Sequence, residues 1–393
     1  MIIREIYLKE IRPFYNKSLI KIISGIRRSG KSTLLGQIKS EMIEAGVMEK
    51  QIIQINFEDY KNRELKNSDL LYEYIENNLS NSKKTYIFLD EIQEVKGFEK
   101  VINSLNATKD VDIYITGSNS KMLSSEFATL LSGRYISFNI FPFSFKEMKD
   151  MYIDKEIEKL FNLYIKFGGF PMVQYFETDN QKLAVLEDLY NSIVIKDIVK
   201  RNNVKSVERL DKFISYMLNT ISSLFSGKNI VNYFKSEGRT ISKETLYNYV
   251  KYLNEVMLIY TAKRYDIKRK RLLTTNEKYF INDQGLRAIK FNNVSDIEKI
   301  LENIVFFELL RRGYKVTVGE INGKEIDFIA EKQGNKEYYQ IAYIMESKET
   351  RDREFSSLLL VKDQYPKYVL TMDKQDFSTS GVVHKNIIDF LLE

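Results

Sequence analysis

A single stretch near the amino terminus limits the possible folds more than any other part of the chain. A short apolar run, Leu19–Ile23, leads into Gly25–Ser32, which matches the pattern G-x-x-x-x-G-K-[ST] at every fixed position. Apolar residues then recur with helical spacing at Leu34, Leu35, Ile38 and Met42. Strand, glycine-rich loop and helix in this order predict a phosphate-binding loop, because inward-facing N–H groups and the helix dipole attract phosphate. A chance glycine turn before a helix is the alternative, and it leaves this flanking context unexplained.

The residues of the loop are expected to have different roles in binding a nucleotide. Gly25 and Gly30 let the backbone curl, Lys31 is expected to reach the β- and γ-phosphates, and Ser32 is expected to hold a magnesium ion. The predicted nucleotide-binding residues are Gly25, Ile26, Arg27, Arg28, Ser29, Gly30, Lys31, Ser32 and Thr33. A cradle of backbone N–H groups does not require the two arginines. They either help to hold the nucleotide or face a neighbouring domain, and the sequence does not decide between these roles.

Composition excludes several other classes of chemistry. The chain has 393 residues, enough for two to four domains, and it has no cysteine and one histidine, His384. Disulfides, thiolate metal sites and histidine-centred catalysis are therefore excluded or disfavoured. No apolar run approaches the roughly 20 residues of a membrane helix, and the amino terminus does not resemble a signal peptide, so we expect a cytoplasmic protein with no membrane partner. The net charge of +6 permits nucleic-acid binding without requiring it.

A second motif supplies two adjacent carboxylates. The apolar run Thr85–Leu89 predicts a strand, and Asp90 and Glu91 follow at its carboxyl end, as in a Walker B element. In a parallel sheet these residues face the same cleft as Lys31, so we expect Asp90 to coordinate magnesium and Glu91 to orient the attacking water. The alternative is an acidic pair that only caps the next helix. A further strand, Gln51–Phe57, lies between the two motifs in the sequence, as in the additional-strand class of P-loop ATPases that includes AAA proteins.

Two later positions are candidates for contact with the terminal phosphate. The predicted strand Val111–Thr116 ends in a polar turn, where Ser118 and Asn119 are candidate sensors and Thr116 is a weaker one. The alternative is that the turn is only a turn. Arg134, before the next strand, is a candidate arginine finger or sensor arginine, within one subunit or across a subunit boundary. An ordinary surface salt bridge is the competing interpretation of this arginine.

Together these motifs resemble a known family of prokaryotic AAA-type ATPases, often described as archaeal-type ATP-binding proteins. The resemblance rests on Gly25–Ser32, Leu89–Gln93, Thr116–Ser120, Ser132–Tyr135, Pro142–Phe145 and Gly168–Pro171, and it covers nearly the whole chain. It implies binding of ATP with magnesium, hydrolysis of ATP, and a carboxyl-terminal domain of unknown function. It does not imply what the hydrolysis drives.

The predicted fold class is α/β, with four domains. We place a P-loop domain with a parallel sheet of the AAA type at 1–145, a helical lid or connector at 146–204, a winged-helix domain at 205–290 and a small nuclease-like α/β domain at 291–393. The lid prediction includes one helix over Lys146–Lys166, followed by Gly168–Gly169, which is either a hinge or a helix terminator.

The densest basic run of the chain lies within the winged-helix region. Lys263–Arg271 is expected to form a wing beside a recognition-type helix at Ser242–Asn254, where it could neutralise several phosphates of double-stranded or branched DNA. Two alternatives remain open at this point. A winged helix can instead dock a protein, and a basic run can simply be a solvated surface.

The last region resembles a restriction-endonuclease-like or Holliday-junction-resolvase-like core. Glu302 on a predicted helix and Asp327 on a predicted strand match the metal ligands of such a site, whereas Gln340 and Ala342 replace the second carboxylate and the lysine. The sequence therefore predicts a degenerate nuclease-like site that is catalytically dead or nearly so.

The functional hypothesis is an ATP-dependent switch that controls the carboxyl-terminal domains and acts on DNA or on a protein partner. A DNA-binding regulator with a vestigial ATPase and an active metal-dependent nuclease are the alternatives. The sequence does not determine the oligomeric state.

Overall fold

The chain folds into two compact units. The computed structural model describes residues 2–80, 83–123, 130–131, 133–273, 277–291 and 296–393. The first unit comprises Met1–Phe141 together with Glu255–Met257, and the second comprises Pro142–Asn254 and Leu258–Glu393. Within the described ranges, no helix combines the length and the apolar character needed to cross a membrane.

The first unit is built on a five-stranded parallel sheet. Its strands are β1 (Ile20–Ser24), β2 (Ile52–Asn56), β3 (Thr85–Asp90), β4 (Val111–Gly117) and β5 (Tyr135–Asn139). The strand order is β2-β3-β4-β1-β5, and all adjacent pairs are parallel. The predicted α/β class with a parallel sheet is therefore confirmed for this unit. The strand that separates β1 from β3 in the sheet is β4, whereas β2, the strand between the two motifs in the sequence, lies at the edge.

Helices cover both faces of this sheet. They are α1 (Glu5–Ile11), α2 (Lys31–Glu44), α3 (Ser68–Asn77) and α4 (Phe98–Thr108). Every residue of β1, β3 and β4 is buried, as expected for central strands packed on two sides. One apolar cluster joins the sheet to α3 and α4, and a second cluster joins it to α1 and α2. The carboxyl ends of three buried central strands, β1, β3 and β4, thus lie side by side at the same end of the sheet.

The second unit begins with helices, and here the expected lid differs from the structure. The helices are α5 (Phe145–Met151), α6 (Ile157–Phe167) and α7 (Asp179–Asn191), followed by a π-helix over Ser192–Lys200. The single helix expected over Lys146–Lys166 is wrong. A capping box of Ser144 and Glu147 starts α5, which ends at Met151, and α6 starts anew at Ile157.

The Gly168–Gly169 turn is held tightly by a buried carboxylate. Gly168 ends α6 with φ of +69°, and Asp283 accepts hydrogen bonds from the N–H groups of Gly169 (2.7 Å) and Gly285 (2.8 Å). Burial raises the pKa of Asp283 to about 7, against the opposing effect of these hydrogen bonds. Asp283 therefore fixes the backbone of the turn through the N–H of Gly169. A turn held in this way is better described as a helix terminator than as a hinge.

Three further helices and a small antiparallel sheet follow. The helices are α8 (Val207–Asn219), α9 (Gly227–Ser236) and α10 (Lys243–Glu255), and the strands are β6 (Ser223–Leu224), β7 (Ile259–Ala262) and β10 (Lys278–Ile281), in the order β6-β10-β7. Two short strands, β8 (Arg264–Asp266) and β9 (Arg271–Leu272), lie between β7 and β10 in the sequence.

The carboxyl-terminal part forms a mixed seven-stranded sheet. Its elements are α11 (Ile297–Arg311), β11 (Lys315–Ile321), β12 (Lys324–Lys332), β13 (Asn335–Ile341), α12 (Lys348–Leu359), β14 (Lys367–Thr371), β15 (Val383–Asn386) and α13 (Ile387–Leu392). The strand order is β15-β14-β13-β12-β11-β8-β9. The basic run Lys263–Arg271 thus lies in a hairpin at the edge of this sheet, because β8 pairs with β11. The sequence predicts that this run forms a wing beside the helix at Ser242–Asn254, but its strands pair within the seven-stranded sheet instead.

Candidate functional site

The phosphate-binding loop connects β1 to α2 through a strained backbone. Gly30 has φ of +99°, immediately before the first residue of α2, and Arg28 has φ of +66°. Gly25 is required for a different reason, since a Cβ atom there would lie 2.2 Å from the carbonyl oxygen of Ile140. Of the two loop glycines, only Gly30 meets the expected need for a left-handed backbone. Gly25 instead permits close packing of the loop against the end of β5.

Lys31 lies inside the loop with its charge fully surrounded. Its side chain is 3% exposed, and its Nζ atom donates hydrogen bonds to the carbonyls of Gly25 (3.1 Å) and Ile26 (3.3 Å). The same atom lies 3.4 Å from Oε1 of Glu91. An ammonium group is therefore held at the centre of the loop, next to the end of β3, where it can bind a phosphate group.

Asp90, the last residue of β3, forms a small network of oxygen atoms. Its carboxylate accepts hydrogen bonds from the hydroxyl of Thr116 (2.5 Å) and from the hydroxyl of Ser32. Burial raises the pKa of Asp90 above its ordinary value, although both hydroxyls oppose the shift. Carboxylate and hydroxyl oxygens are the ligands that Mg²⁺ prefers, so the pair Ser32 and Asp90 fits this ion. A bound cation would also stabilise the ionised carboxylate.

Glu91 is buried beside Asp90 but has different partners. Its carboxylate contacts Lys31, the side-chain amide of Gln93 and the hydroxyl of Ser118 (3.2 Å). Burial opposes ionisation of Glu91, but the charge of Lys31 and the hydrogen bond from Gln93 outweigh it, and the pKa of Glu91 lies below its ordinary value. Glu91 is therefore held ionised. The adjacent carboxylates do not serve merely as a helix cap, because the N-cap position at Glu91 makes no side-chain capping bond.

The candidate sensors lie at the carboxyl end of β4, at the same end of the sheet as the phosphate-binding loop. Asn119 is buried, and Ser118 contacts Glu91 directly. Thr116, the weaker candidate from sequence, contacts both acidic residues, since its hydroxyl donates to the Asp90 carboxylate and accepts a hydrogen bond from the N–H of Glu91 (2.9 Å). The sequence ranked Thr116 below its neighbours because only the register of β4 beside β3 brings it to both acidic residues.

The other loop residues have separate positions. Arg27 forms an ion pair with Glu58 (2.9 Å), which follows β2, whereas Arg28 is exposed. Ile26 and Ser29 are buried, and Thr33 is exposed on the first turn of α2.

Arg134 lies at the end of the sheet where the strands begin, opposite to the end that carries the phosphate-binding loop. It precedes β5, and because Tyr135 pairs with Ile20 in parallel, Arg134 lies beside the start of β1 rather than its end. Five residues of strand span about 16 Å, so the structure does not bring Arg134 to the loop of the same unit. The role within one subunit is therefore wrong for this arrangement, and a role across a subunit boundary stays a prediction. Ser132, part of the motif that contains Arg134, lies outside the described residues.

Sequence reasoning missed a buried arginine that supports the loop. Arg4 is 1% exposed, and its guanidinium donates hydrogen bonds to the carbonyls of Ser29 (2.9 Å) and Phe141 (2.9 Å). The position, four residues from the start of a lead-in segment, gave no signal of this role. Only the packing of α1 against the loop reveals it.

The nuclease-like residues come together around a lysine that the sequence did not single out. Lys278 of β10 contacts Glu302 and lies 3.0 Å from Glu325 and 3.8 Å from Asp327. Gln340 is nearby, since its Oε1 atom accepts a hydrogen bond from the N–H of Asp327 (3.4 Å). The carboxylates of this cluster therefore share the positive charge of one buried side chain, which belongs to a different sheet.

Comparison with known proteins defines the class and then the family. Residues 17–149 match the family model described as AAA domain, and residues 158–297 match a domain of unknown function, DUF8612. The fold and the site thus define a protein with an AAA-type domain. An uncharacterized protein of Haemophilus influenzae is 38% identical over 400 residues, covering 100% of this chain and 99% of that protein. Uncharacterized protein MJ1544 of Methanocaldococcus jannaschii is 33% identical and covers 88% of this chain and 79% of that protein. The chain belongs to the family of AAA-domain proteins that contains these relatives.

Solved structures with some similarity are much more distant. AMPPCP-bound DnaA from Aquifex aeolicus aligns with a TM-score of 0.33 and 15% identity, over 65% of this chain and 89% of that chain. The Aeropyrum pernix ORC1 protein in complex with DNA aligns with a TM-score of 0.31 and 11% identity, over 73% and 91% of the two chains. At these scores the alignments support no assignment of a site or partner.

Proposed function

We propose that this chain is a magnesium-dependent ATPase of the AAA class. The observation that carries the proposal is that Lys31, Ser32, Asp90 and Glu91 lie in contact at the carboxyl edge of one parallel sheet. Lys31 and the loop N–H groups bind the phosphates of ATP. Ser32 and Asp90 would hold Mg²⁺, which supplies neutralising charge at the phosphates. The match of this region to an AAA domain supports the same activity.

Glu91 acts on the attacking water in this proposal. Phosphate oxygens compete with Glu91 for the ammonium of Lys31, because all of these groups lie around the same loop. Once Lys31 bonds phosphate, Oε1 of Glu91 can accept a proton or a hydrogen bond from water. While Lys31 faces it, the pKa of Glu91 lies below its ordinary value, so the carboxylate is ionised before the nucleotide binds.

The test compares two substitutions at the site. Lys31→Ala should abolish ATP binding, because the ammonium group held at the centre of the loop is lost. Glu91→Gln should keep ATP binding and slow steady-state hydrolysis by about 100-fold or more, the usual size for loss of a general base. Lys39→Ala and Glu94→Gln are the matched controls, since both residues are partly exposed and lie outside the network. Equal hydrolysis by the wild type and Glu91→Gln would contradict the proposal.

We further propose that the second unit contains a winged-helix module and a nuclease-like module. The first is supported by the order α8, β6, α9, α10, β7 and β10, in which β6, β7 and β10 form one small sheet and the hairpin strands β8 and β9 come between β7 and β10. The second is supported by α11 followed by three antiparallel strands, α12 and β14. The boundaries at 146–204, 205–290 and 291–393 are part of this proposal. So is control of these modules by ATP hydrolysis.

The surface that favours a nucleic-acid partner is the hairpin formed by β8 and β9. Lys268, Lys270 and Arg271 are exposed and form no ion pair with any described residue, whereas Arg264 is paired with Glu320 (2.6 Å). Three free cations on one short hairpin can neutralise neighbouring phosphates. This observation supports double-stranded or branched DNA over a protein partner.

Measurement of DNA affinity at two salt concentrations tests the surface. Replacing Lys268, Lys270 and Arg271 together by alanine should weaken binding to every DNA form and reduce the slope of log affinity against log salt by up to about three. The control replaces Lys61, Lys159 and Lys374, which are exposed and carry the same total charge. ATP hydrolysis measured with single-stranded, double-stranded and branched DNA then identifies the form that stimulates the enzyme. Equal DNA binding by both triple variants would instead favour a protein partner.

The nuclease-like module is proposed to bind without cleaving. Lys278 supplies positive charge to Glu302, Glu325 and Asp327, while Gln340 and Ala342 provide neither a carboxylate nor a lysine. Manganese-dependent cleavage of DNA that is lost in Asp327→Ala would contradict this interpretation.

A further inference from the structure

The backbone of Glu91 is held in an unfavourable conformation by its surroundings. Its φ of 56° and ψ of 46° lie in the left-handed region, which is uncommon for a side chain of this size. The N–H of Glu91 donates a hydrogen bond to Thr116 (2.9 Å), which fixes the residue against β4. Residues in such conformations persist where neighbouring groups determine them, and they occur often at functional sites. The orientation of the Glu91 carboxylate therefore depends on the groups that bind it.

The two oxygen atoms of this carboxylate have chemically different partners. Oε1 faces the ammonium of Lys31 at 3.4 Å, whereas Oε2 accepts hydrogen bonds from the amide of Gln93 and from the hydroxyl of Ser118 (3.2 Å). Phosphate competes with the Glu91 carboxylate for Lys31, because phosphate and carboxylate are both negatively charged. It has no comparable effect on the neutral donors, so Gln93 and Ser118 can keep hold of Oε2 while Oε1 is released.

The side chain of Gln93 lies against Gly117, at the end of β4. It belongs to the short 3-10 helix Ile92–Glu94, two residues after Glu91. A Cβ atom at Gly117 would lie 2.7 Å from Oε1 of Gln93 and 2.0 Å from the sulfur of Met122, so both side chains pack closely against this glycine. The Oε1 atom is buried and accepts no hydrogen bond from any described residue. The hydrogen bond to Glu91 is therefore the one that fixes the amide in place.

We propose that Gln93 is a positioning residue for ATP hydrolysis, which holds the Glu91 carboxylate in place when phosphate takes over Lys31. This inference rests on the proposed ATPase function. Gln93 touches neither phosphate nor water in this role and acts only through Glu91. The alternative is a local turn contact that stabilises the end of β3 without any effect on turnover.

The experiment is a double-mutant cycle on steady-state ATP hydrolysis. Gln93→Leu should lower kcat by about 10- to 100-fold, the size expected for one lost hydrogen bond to a charged group, while KM for ATP stays within about twofold. In the Glu91→Gln background the same substitution should have little further effect, because Gln93 acts through Glu91. The control is Glu94→Gln, in the same turn.

The outcomes separate this inference from the proposed function. If the wild type hydrolyses ATP, Glu91→Gln is slow and Gln93→Leu is as fast as the wild type, the positioning role is wrong and the ATPase stands. The same conclusion follows if Gln93→Leu lowers kcat equally in both backgrounds, or changes only thermal stability. If no hydrolysis depends on Lys31, the proposed function and the positioning role both fail.

Discussion

Two neighbouring carboxyl groups show how single residues acquire different properties from their contacts. Asp90 and Glu91 are both buried at the end of β3, yet the pKa of Asp90 is raised and that of Glu91 is lowered. Burial disfavours ionisation of each carboxyl group. Only Glu91 lies against a lysine, whereas Asp90 is bonded mainly to hydroxyls, which compensate less. Asp90 therefore gains most from a cation ligand, and Glu91 is charged without one.

Lys278 is a second residue whose neighbours determine its charge. Burial alone would lower its pKa, but the charges of Glu302, Asp327 and Glu325 outweigh burial and raise it. Burial chiefly raises the pKa values of Glu302 and Asp327 as well. The neighbouring carboxylates raise these pKa values further, and the charge of Lys278 opposes the shift. Removal of one partner from such a cluster leaves uncompensated buried charge.

Lys278→Met should therefore destabilise the protein in a pH-dependent way. At about pH 8 the free energy of unfolding should fall by about 3–5 kcal/mol, since the carboxylates lose their counter-charge while the packing of the stem is kept. Carboxyl groups with raised folded-state pKa values favour folding at low pH and cost stability as the pH rises through those values. The deficit should thus shrink at about pH 5. Denaturant unfolding at both pH values measures it.

A control substitution separates this effect from loss of any lysine. Lys324→Met removes an exposed lysine at the start of β12, whose amine bonds Ser356, and should change stability by less than about 0.5 kcal/mol at either pH. A deficit in Lys278→Met that is the same at both pH values would show that packing, rather than charge, is responsible.

At the scale of elements, the phosphate-binding loop is supported by residues that lie just before α1 and just after β5. Arg4, just before α1, bonds the carbonyl of Ser29 within the loop and the carbonyl of Phe141 after β5. Gly25 packs against the carbonyl of Ile140 in the same region. Two segments that are distant from the loop in the sequence thus fix it, and only one of its glycines, Gly30, has a positive φ.

Arg4→Met should loosen this loop. Two buried carbonyls would lose their donor, at a cost of about 2–4 kcal/mol in the free energy of unfolding. Binding of a non-hydrolysable ATP analogue should weaken as well, because the loop must then be ordered by the ligand. Chemical denaturation and equilibrium binding measure the two effects. Lys9→Met, an exposed position on α1, is the control, and unchanged nucleotide affinity in Arg4→Met would show that the loop holds its shape without the arginine.

The strands of the basic hairpin illustrate a limit of element prediction. β8 and β9 have three and two residues, and β8 leaves β7 after one residue to pair with β11, more than 50 positions later in the chain. Short strands carry little alternation of their own. Pairing with a distant strand, rather than local propensity, placed the hairpin in the seven-stranded sheet.

At the scale of the whole molecule, the chain divides at residues 141 and 142. The first unit carries the proposed nucleotide site and the second carries the proposed DNA-binding hairpin. Within the second unit, Asp283 after β10 holds the turn that follows α6, and Lys278 of β10 contacts α11 and β12. Segments assigned to lid, winged-helix and nuclease-like domains are thus joined by buried polar contacts, and the proposed division among them rests on topology.

The sequence by itself determined the features that depend on local pattern. The loop from Gly25 to Ser32, the buried strand before Asp90 and Glu91, and the class of the first unit follow from spacing, alternation and short motifs, because strand, loop and helix are adjacent in the chain. Tertiary structure alone decided the partners of those residues. The register of β4 beside β3 brought Thr116 and Ser118 to the carboxylates. The parallel pairing of β5 with β1 placed Arg134 at the opposite end of the sheet from the loop. Contacts between segments distant in sequence, such as those of Arg4 and Lys278, leave no periodic signal because they depend on how the elements pack.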